Sequence, residues 1–323
     1  MMIVTEVYPP NWHRHEFRAM GCEMAIWLET ADAHTAATAF AAVEALFAAH
    51  EQALSRFRAD SELSQLNAGS GEWVVVSDLM WEVLLLALQM AAVTNGRFDP
   101  TTLNALEQHG YTVSFEQLGA GKGNGRFPSP PSPDWTAVKR DEARQAVYLP
   151  QGVRLDLGGI AKGYTAQKAV DLLQSWGPCL VDAGGDLVAG DAPLLYHGWP
   201  VAISSPLPEN GEEPGDLCAL WLANQALATS GVDYRHWRWN GRPAHHLIDP
   251  ATGQPAETDG VTVTILADEA VIAEAWATAT LIAGSQMGMT TLLDAGLAGL
   301  MVLRNGRILA TPPMHQHLQM AAA

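Results

Sequence analysis

The sequence predicts a mixed α/β fold of the α+β kind, and three observations carry that expectation. Helical and extended segments alternate along the chain, many extended segments are joined by short turns, and no solenoid-type repeat is present. Short connections argue against a strictly doubly wound sheet.

The elements follow in order. Met20–Leu28 alternates and reads as a strand. Ala33–Phe57 is Ala-rich with helical spacing and almost no breakers, so a long helix is expected. Ser77–Thr94 is a second helix, opened by Ser77 as N-cap and closed by Asn95-Gly96. The stretch 119–134, GAGKGNGRFPSPPSPD, has no hydrophobic period and reads as a loop, as does 206–215. Short strands are expected at Ala146–Leu149, Val153–Leu157, Cys179–Ala183, Trp199–Ile203, Cys218–Leu222 and Val261–Leu266. Helices are expected at Gly163–Trp176, Val271–Ala283 and Met287–Ala295. The segment GLMVLRNGRILAT is a hairpin turning at Asn305-Gly306. Candidate site residues fall on both sides of each loop, so residues 1–323 are read as one domain with two excursions.

With 323 residues, 48% of them hydrophobic and 16% charged, the chain can bury a substantial core. A formal net charge of -17 argues against a nucleic-acid partner but leaves room for a small anion held by local donors or a metal. Cys22, Cys179 and Cys218 are far apart and form no CxxC, which suits a reducing compartment without disulfides. No signal peptide or lipobox is read at the start, and the most apolar run, Val83–Val93, is too short to span a bilayer. A cytoplasmic protein with no membrane segment is expected.

Chemistry concentrates in a few segments. RLDLGGIAKGYT, from Arg154 to Thr165, runs an apolar stretch into Asp156, two glycines and a lysine at a helix start. Backbone N–H groups, a helix N-terminus and the Lys162 charge at one point suit a phosphate. It matches neither the Walker pattern nor GxGxxG, and alone it is also explained by a tight turn with a solvated lysine. Arg97-Phe98-Asp99-Pro100 follows a helix break, and Asp before Pro favours an extended backbone that projects its carboxylate; a capped turn explains it equally. Ala183-Gly184-Gly185-Asp186 ends a buried strand and permits close approach of a ligand, or is simply a hairpin turn. His245-His246-Leu247-Ile248-Asp249-Pro250 offers a general base with a nearby carboxylate, although Asp249 before Pro250 also fits an Asx turn. Glu274 and Thr278 stand four apart and share a helix face, giving hard oxygen donors of the kind Mg²⁺ prefers; a Glu on the solvent side is the plainer alternative.

In consistent order from about Phe17 to Leu309, these segments resemble the ApbE family, the FAD:protein FMN transferases. The matching pieces are FRAMGCEM, LSRFRADSELSQLN, GRFDPTTL, LDLGGIAKGY, VDAGGD, ATSGVDYR, HHLIDPATGQP and AEAWATA. The resemblance implies an α/β fold with two tunnelling-fold-like halves around an FAD site. It implies Mg²⁺-dependent transfer of FMN from FAD, through a phosphoester, to a Thr or Ser hydroxyl of an acceptor protein, with release of AMP. Met20 and Phe57 would then contact the flavin or adenine part of FAD. Arg97, Phe98 and Asp99 would line the same pocket. Asp156 would bind the nucleotide, with Lys162 near the phosphates. The Gly159 carbonyl, Glu274 and Thr278 would hold Mg²⁺. His246 would be the base for the incoming hydroxyl, and Asp249 would order that loop or assist the histidine. The chain departs from the family pattern at Glu274, usually Asp, at Cys22, often Thr, at Asp182, usually Asn, and at His109-Gly110-Tyr111, often Trp-Gly-Phe. An FAD pyrophosphatase and an FAD-binding protein that has lost catalysis are the alternative readings.

Overall fold

The computed structural model describes residues 2–3, 9–118, 134–207 and 215–318 of the 323. The expected loops at 119–134 and 206–215 lie mostly outside these residues, at 119–133 and 208–214. The centre is an eight-stranded sheet in the spatial order Ile308–Ala310, Ala298–Leu303, Gly260–Ala267, Gln225–Gly231, Leu187–Ala189, Cys179–Ala183, Cys22–Glu29, Trp12–Ala19. Every neighbouring pair is antiparallel, as the short connections suggested.

Both faces of that sheet are covered, and the period of two along its strands sorts the side chains. Met24, Ile26 and Leu28 point to a core shared with Ala33–Leu54, Ala161–Leu173 and Ala270–Asp294. Ala25 and Trp27 point the other way, where Trp199, Val201 and Leu220 of a smaller three-stranded sheet close the opposite face. The helix Ala270–Asp294 is wedged between two cores: Ala273, Ala277 and Leu281 serve the first, while Val271, Ala275 and Ala279 meet Asp78–Val93 and its neighbours. A helix buried on both sides has no polar stripe to show, which accounts for its run of small apolar residues. No helix among the described residues is long and apolar enough to cross a membrane.

Several expected elements stand. Asp78–Val93 is capped by Ser77, whose hydroxyl accepts from the Met80 N–H. Cys179–Ala183 is a strand, and Ala298–Leu303 pairs with Ile308–Ala310 across the Asn305-Gly306 turn. The two helices expected between Val271 and Ala295 run as Ala270–Asp294, broken at Gly284 (φ 73°), with Asp259 accepting from the Ser285 N–H where the helix restarts.

Others differ for physical reasons. The strand expected from Met20 begins at Cys22, because Met20 (φ 50°) and Gly21 (φ 71°) form a two-residue turn after an unforeseen strand, Trp12–Ala19. Both positive φ values fit the twist of a tight hairpin, but Met-Gly lacks the Asn-Gly signature that would announce it. The first helix stops at Leu54 rather than Phe57, since Ser55 turns extended (ψ 125°) and sends Arg56 and Phe57 toward the cavity described below.

Val153–Leu157 is not a strand. Its backbone is paired by other means: Leu155 donates to Asn67 Oδ1 at 2.7 Å and accepts from Asn67 Nδ2 at 2.9 Å, and Asp156 N–H donates to the Pro100 carbonyl at 2.8 Å. Asn67 is 7% exposed, so water does not replace it. Substituting Asn67→Ala strands two buried backbone groups and should cost about 2–4 kcal/mol. Urea unfolding followed by tryptophan fluorescence measures this, and a loss below about 1 kcal/mol would show that the segment does not depend on that side chain.

Candidate active site

A cavity of about 950 Å³ opens where the sheet, the helix Ala161–Leu173 and the helix Ala270–Asp294 meet. That volume suits a dinucleotide-sized ligand. Met20, Phe57, Arg97, Phe98, Asp99 and Asp156 all line it, as do Gly159, Lys162, His246, Glu274 and Thr278. Asp249 does not. Its carboxylate accepts from the Ala251 N–H at 3.0 Å, the Asx-turn geometry that orders the loop after it. This contact is in keeping with the loop-ordering role expected of Asp249.

The deepest feature is a three-residue charge cluster. Lys162 Nζ donates to Glu274 Oε1 at 2.6 Å and to Asp186 Oδ2 at 2.9 Å. Glu274 Oε2 accepts from the Gly163 N–H at 3.0 Å, and Asp186 Oδ1 from the Thr229 N–H at 3.1 Å. Burial works against the lysine charge, but the Asp186 and Glu274 carboxylates outweigh it and hold the ammonium well above its usual range. Burial pushes the Glu274 carboxyl up, against the pull of Lys162. Glu274 is 5% exposed, so it is not on the solvent side of its helix. It caps the helix that begins at Ala161, taking a position that the sequence pattern reserved for a phosphate.

The donor set around Glu274 agrees in kind with a hard cation. Glu274 and Thr278 line the cavity one helical turn apart, beside Gly159. Each carboxylate oxygen keeps a second lone pair, and the Thr278 hydroxyl, 3.0 Å from Ser230 Oγ, keeps one as well. Among the described residues no group of three or more His, Cys, Asp or Glu side chains converges on a metal position. Lys162 already balances much of the carboxylate charge, so a divalent ion would compete with it.

The two adjacent histidines separate into different tasks. His245 is engaged at both nitrogens, Nε2 with the Ala256 carbonyl at 3.1 Å and Nδ1 accepting from Leu247 N–H at 3.3 Å. It is a structural residue. His246 places Nδ1 3.4 Å from the Arg235 carbonyl. A carbonyl only accepts, so that contact puts the proton on Nδ1 and leaves the Nε2 lone pair free. Burial, followed by the Arg235 charge, lowers the His246 pKa to about 3.

The remaining candidates form the walls. Asp156 Oδ1 accepts from the Gly158 N–H at 2.8 Å, and its other oxygen lies 3.3 Å from Arg56 Nε. Arg56 in turn has its guanidinium 4.0 Å from the Phe57 ring and 4.6 Å from that of Tyr111. Asp99 is buried and engaged with Thr101 and the Trp135 N–H, so it shapes the loop; Phe98 lies beneath Gly159 as core. Arg97 reaches Met287 Sδ. Met20 donates its N–H to Glu51 Oε2 at 2.9 Å.

Sequence reasoning assigned no role to four further lining residues: Arg56, Asp182, Asp186 and Arg235. Asp182 and Asp186 stand in the Gly-Gly segment already singled out, but nothing local marks Asp186 as the partner of a lysine 24 residues away. Arg235 ends the ATSGVDYR stretch, and only the fold brings it beside His246.

The profile of the ApbE family matches residues 20–301. An FAD:protein FMN transferase of Treponema pallidum is 32% identical over 307 residues, spanning 85% of this chain and 81% of that protein. One from Salmonella typhimurium is 26% identical over 305 residues, spanning 90% and 84%. The crystal structure of the ApbE protein of Thermotoga maritima superposes with a TM-score of 0.84 at 27% identity, covering 95% of this chain and 99% of that one.

Burial raises the Asp182 carboxyl to about 6, while Oδ1 accepts from the Gly185 N–H at 2.6 Å. A raised carboxyl favours the fold at pH below the unfolded value, about 3.9, and loses that advantage as pH rises through about 6. Asp182→Asn keeps the acceptor and removes the titration. It should melt higher than the parent at pH 8, with the gain gone by pH 4. Thermal melts across that range measure it, and an equal offset at both ends would refute the linkage.

Proposed function

We propose that this chain, which belongs to the ApbE family, moves FMN from FAD to the hydroxyl of a Thr or Ser on an acceptor flavoprotein, releasing AMP. The observation that carries the reading is the convergence of a neutral His246, the Lys162–Glu274 pair and Asp156 on one dinucleotide-sized cavity.

The chemistry follows from those groups. The acceptor hydroxyl attacks the phosphorus of the FMN half, its oxygen forming the new P–O bond. The bond from that phosphorus to the bridging oxygen breaks, and the electron pair leaves on AMP. The hydroxyl proton goes to His246 Nε2, which is unprotonated at neutral pH because imidazolium is disfavoured there. Asp156, held by Arg56 and the Gly158 N–H, is the acceptor available to the exocyclic amine of adenine. Mg²⁺ would be held by Glu274, Thr278 and the Gly159 carbonyl, and when bound it supplies charge neutralisation for the pyrophosphate. Lys162 donates to Glu274 Oε1 and holds that side chain at the cavity wall.

The direct test incubates the purified chain with FAD, with and without Mg²⁺ and an acceptor domain, and follows AMP together with denaturation-resistant flavin. Matched AMP and protein-bound flavin are expected. Equal AMP release without acceptor and no bound flavin would make the chain a pyrophosphatase. Tight FAD binding without turnover would make it a binding protein.

The base assignment has its own test. His246→Gln should reduce AMP release by about 10²–10⁴-fold. In the parent, kcat/KM should persist at pH values where an ordinary histidine, with a pKa of about 6.5, would already be protonated. An acid limb near 6.5 that survives Asp182→Asn would overturn the assignment.

A further inference from the structure

We infer that Arg235 is a further catalytic residue, whose guanidinium grips the non-bridging oxygens of the phosphorus under attack. The inference rests on the reading of the cavity as an FAD-cleaving site.

Arg235 stands apart from the other deep cations. Lys162 lies between two carboxylates and Arg56 lies against Asp156. Among the described residues no carboxylate forms an ion pair with Arg235; its hydrogen-bond acceptor is Cys22 Sγ, 3.0 Å from Nη2. A thiol is a weak acceptor, and a guanidinium has five N–H groups to place. Buried side-chain atoms lacking a partner include Arg56 Nη2 but no nitrogen of Arg235. Arg235 lines the cavity, so its uncommitted N–H groups face that space. A half-buried guanidinium in no carboxylate ion pair, with Asp186 acting on it only from a distance, is suited to an anion on the wall of such a site.

Its place beside the base is fixed by the backbone. The Arg235 carbonyl receives His246 Nδ1, so one residue orients the base and presents the cation. As the acceptor oxygen bonds to phosphorus and the bridging P–O bond breaks, negative charge redistributes over the equatorial and leaving oxygens. Planar, bidentate donors are matched to that arrangement. Arg235 keeps all its protons through the step and contributes hydrogen bonds and charge only; the hydroxyl proton goes to His246 and the electron pair leaves with AMP. Cys22 holds the guanidinium when no anion is present.

The test compares parent, Arg235→Ala and Arg235→Lys in the full chain, measuring FAD affinity by flavin fluorescence and single-turnover AMP release. Arg235→Ala should lose about 100-fold or more in AMP release while FAD affinity changes by less than about 3-fold, because the interaction is realised in the transition state. Added guanidinium chloride at non-denaturing concentration should restore part of the Arg235→Ala rate and none of the rate lost in His246→Gln. Arg235→Lys should stay well below the parent. An Arg235→Ala rate within about 5-fold of the parent would sink the inference, and so would a loss of FAD affinity as large as the loss of rate. Absence of guanidinium rescue in a folded Arg235→Ala protein would sink it too. A misfolded Ala variant leaves Arg235→Lys to decide, with a parent-like rate overturning the proposal. A parent chain that binds FAD and releases no AMP would defeat the underlying reading; turnover in the parent with an indifferent Arg235 would defeat this inference alone.

Discussion

Lys162, held between Glu274 and Asp186, is the interaction on which the site depends. Its three members come from the start of one helix, the second turn of another, and the turn between Cys179–Ala183 and Leu187–Ala189. No single element could place them together. Polar groups this deep are tolerated because each carboxylate oxygen has a donor: the Gly163 N–H and the ammonium on Glu274, the Thr229 N–H and the ammonium on Asp186. Removing one member would leave an uncompensated buried charge, a loss of about 3–5 kcal/mol in comparable cases. The cluster therefore fixes the mutual position of two helices and the sheet, and with it the shape of the cavity.

That arrangement also accounts for local sequence. Gly163 is required by close approach, since a Cβ there would lie 2.8 Å from Glu274 Oε2. The surrounding Ala270, Ala273, Ala275 and Ala277 are small because their helix is packed on both sides. Within such a helix a carboxylate is costly unless it is used. Glutamate at 274 reaches both Lys162 Nζ and the Gly163 N–H, and so satisfies the helix N-terminus itself. A ligand anion then needs donors elsewhere on the wall, and among the described residues the Arg235 guanidinium rests on a thiol and in no carboxylate ion pair.

Much of this was legible before the structure, and the exceptions have identifiable causes. Helix Asp78–Val93 and the Ala298–Ala310 hairpin carry their own caps and turn residues. The chemistry-bearing segments were visible as Gly-rich or His-rich breaks in apolar runs, and the cavity gathers all of the candidate residues except Asp249. Trp12–Ala19 escaped notice because it is an edge strand whose outward residues, Arg14, Glu16 and Arg18, break up the apolar signal. Val153–Leu157 has strand composition but satisfies its backbone with a distant asparagine side chain, which no local pattern encodes. Glu274 read equally well as solvent-facing, because helix spacing fixes which residues share a face and not what that face meets. Contacts eleven residues away along the chain distinguish His246 from His245, whereas the Asx turn of Asp249 is local and was among the readings of the sequence.

On the proposed reading, the same cations that would face a pyrophosphate also hold the base, His246, in the neutral form. His246 is lowered first by burial and then by Arg235, with Lys162 adding to the effect. Lys162 is already offset by Asp186 and Glu274, whereas among the described residues no carboxylate pairs with Arg235, so negative charge beside it would come from a ligand. A bound pyrophosphate supplies it, partly cancelling the field of Arg235 at the imidazole and raising the affinity of Nε2 for a proton. Base strength is thereby tied to occupancy: His246 becomes a better proton acceptor when there is a phosphorus to attack. The tie runs through residue 235 twice, once through the carbonyl that sets the tautomer and once through the guanidinium that sets the field. This coupling does not distinguish a protein hydroxyl from water, since both present the same proton to Nε2. Selection between them must come from what reaches the cavity mouth, where Phe57 and Tyr234 stand exposed. Transfer and hydrolysis thus share one set of deep residues and part only at the rim.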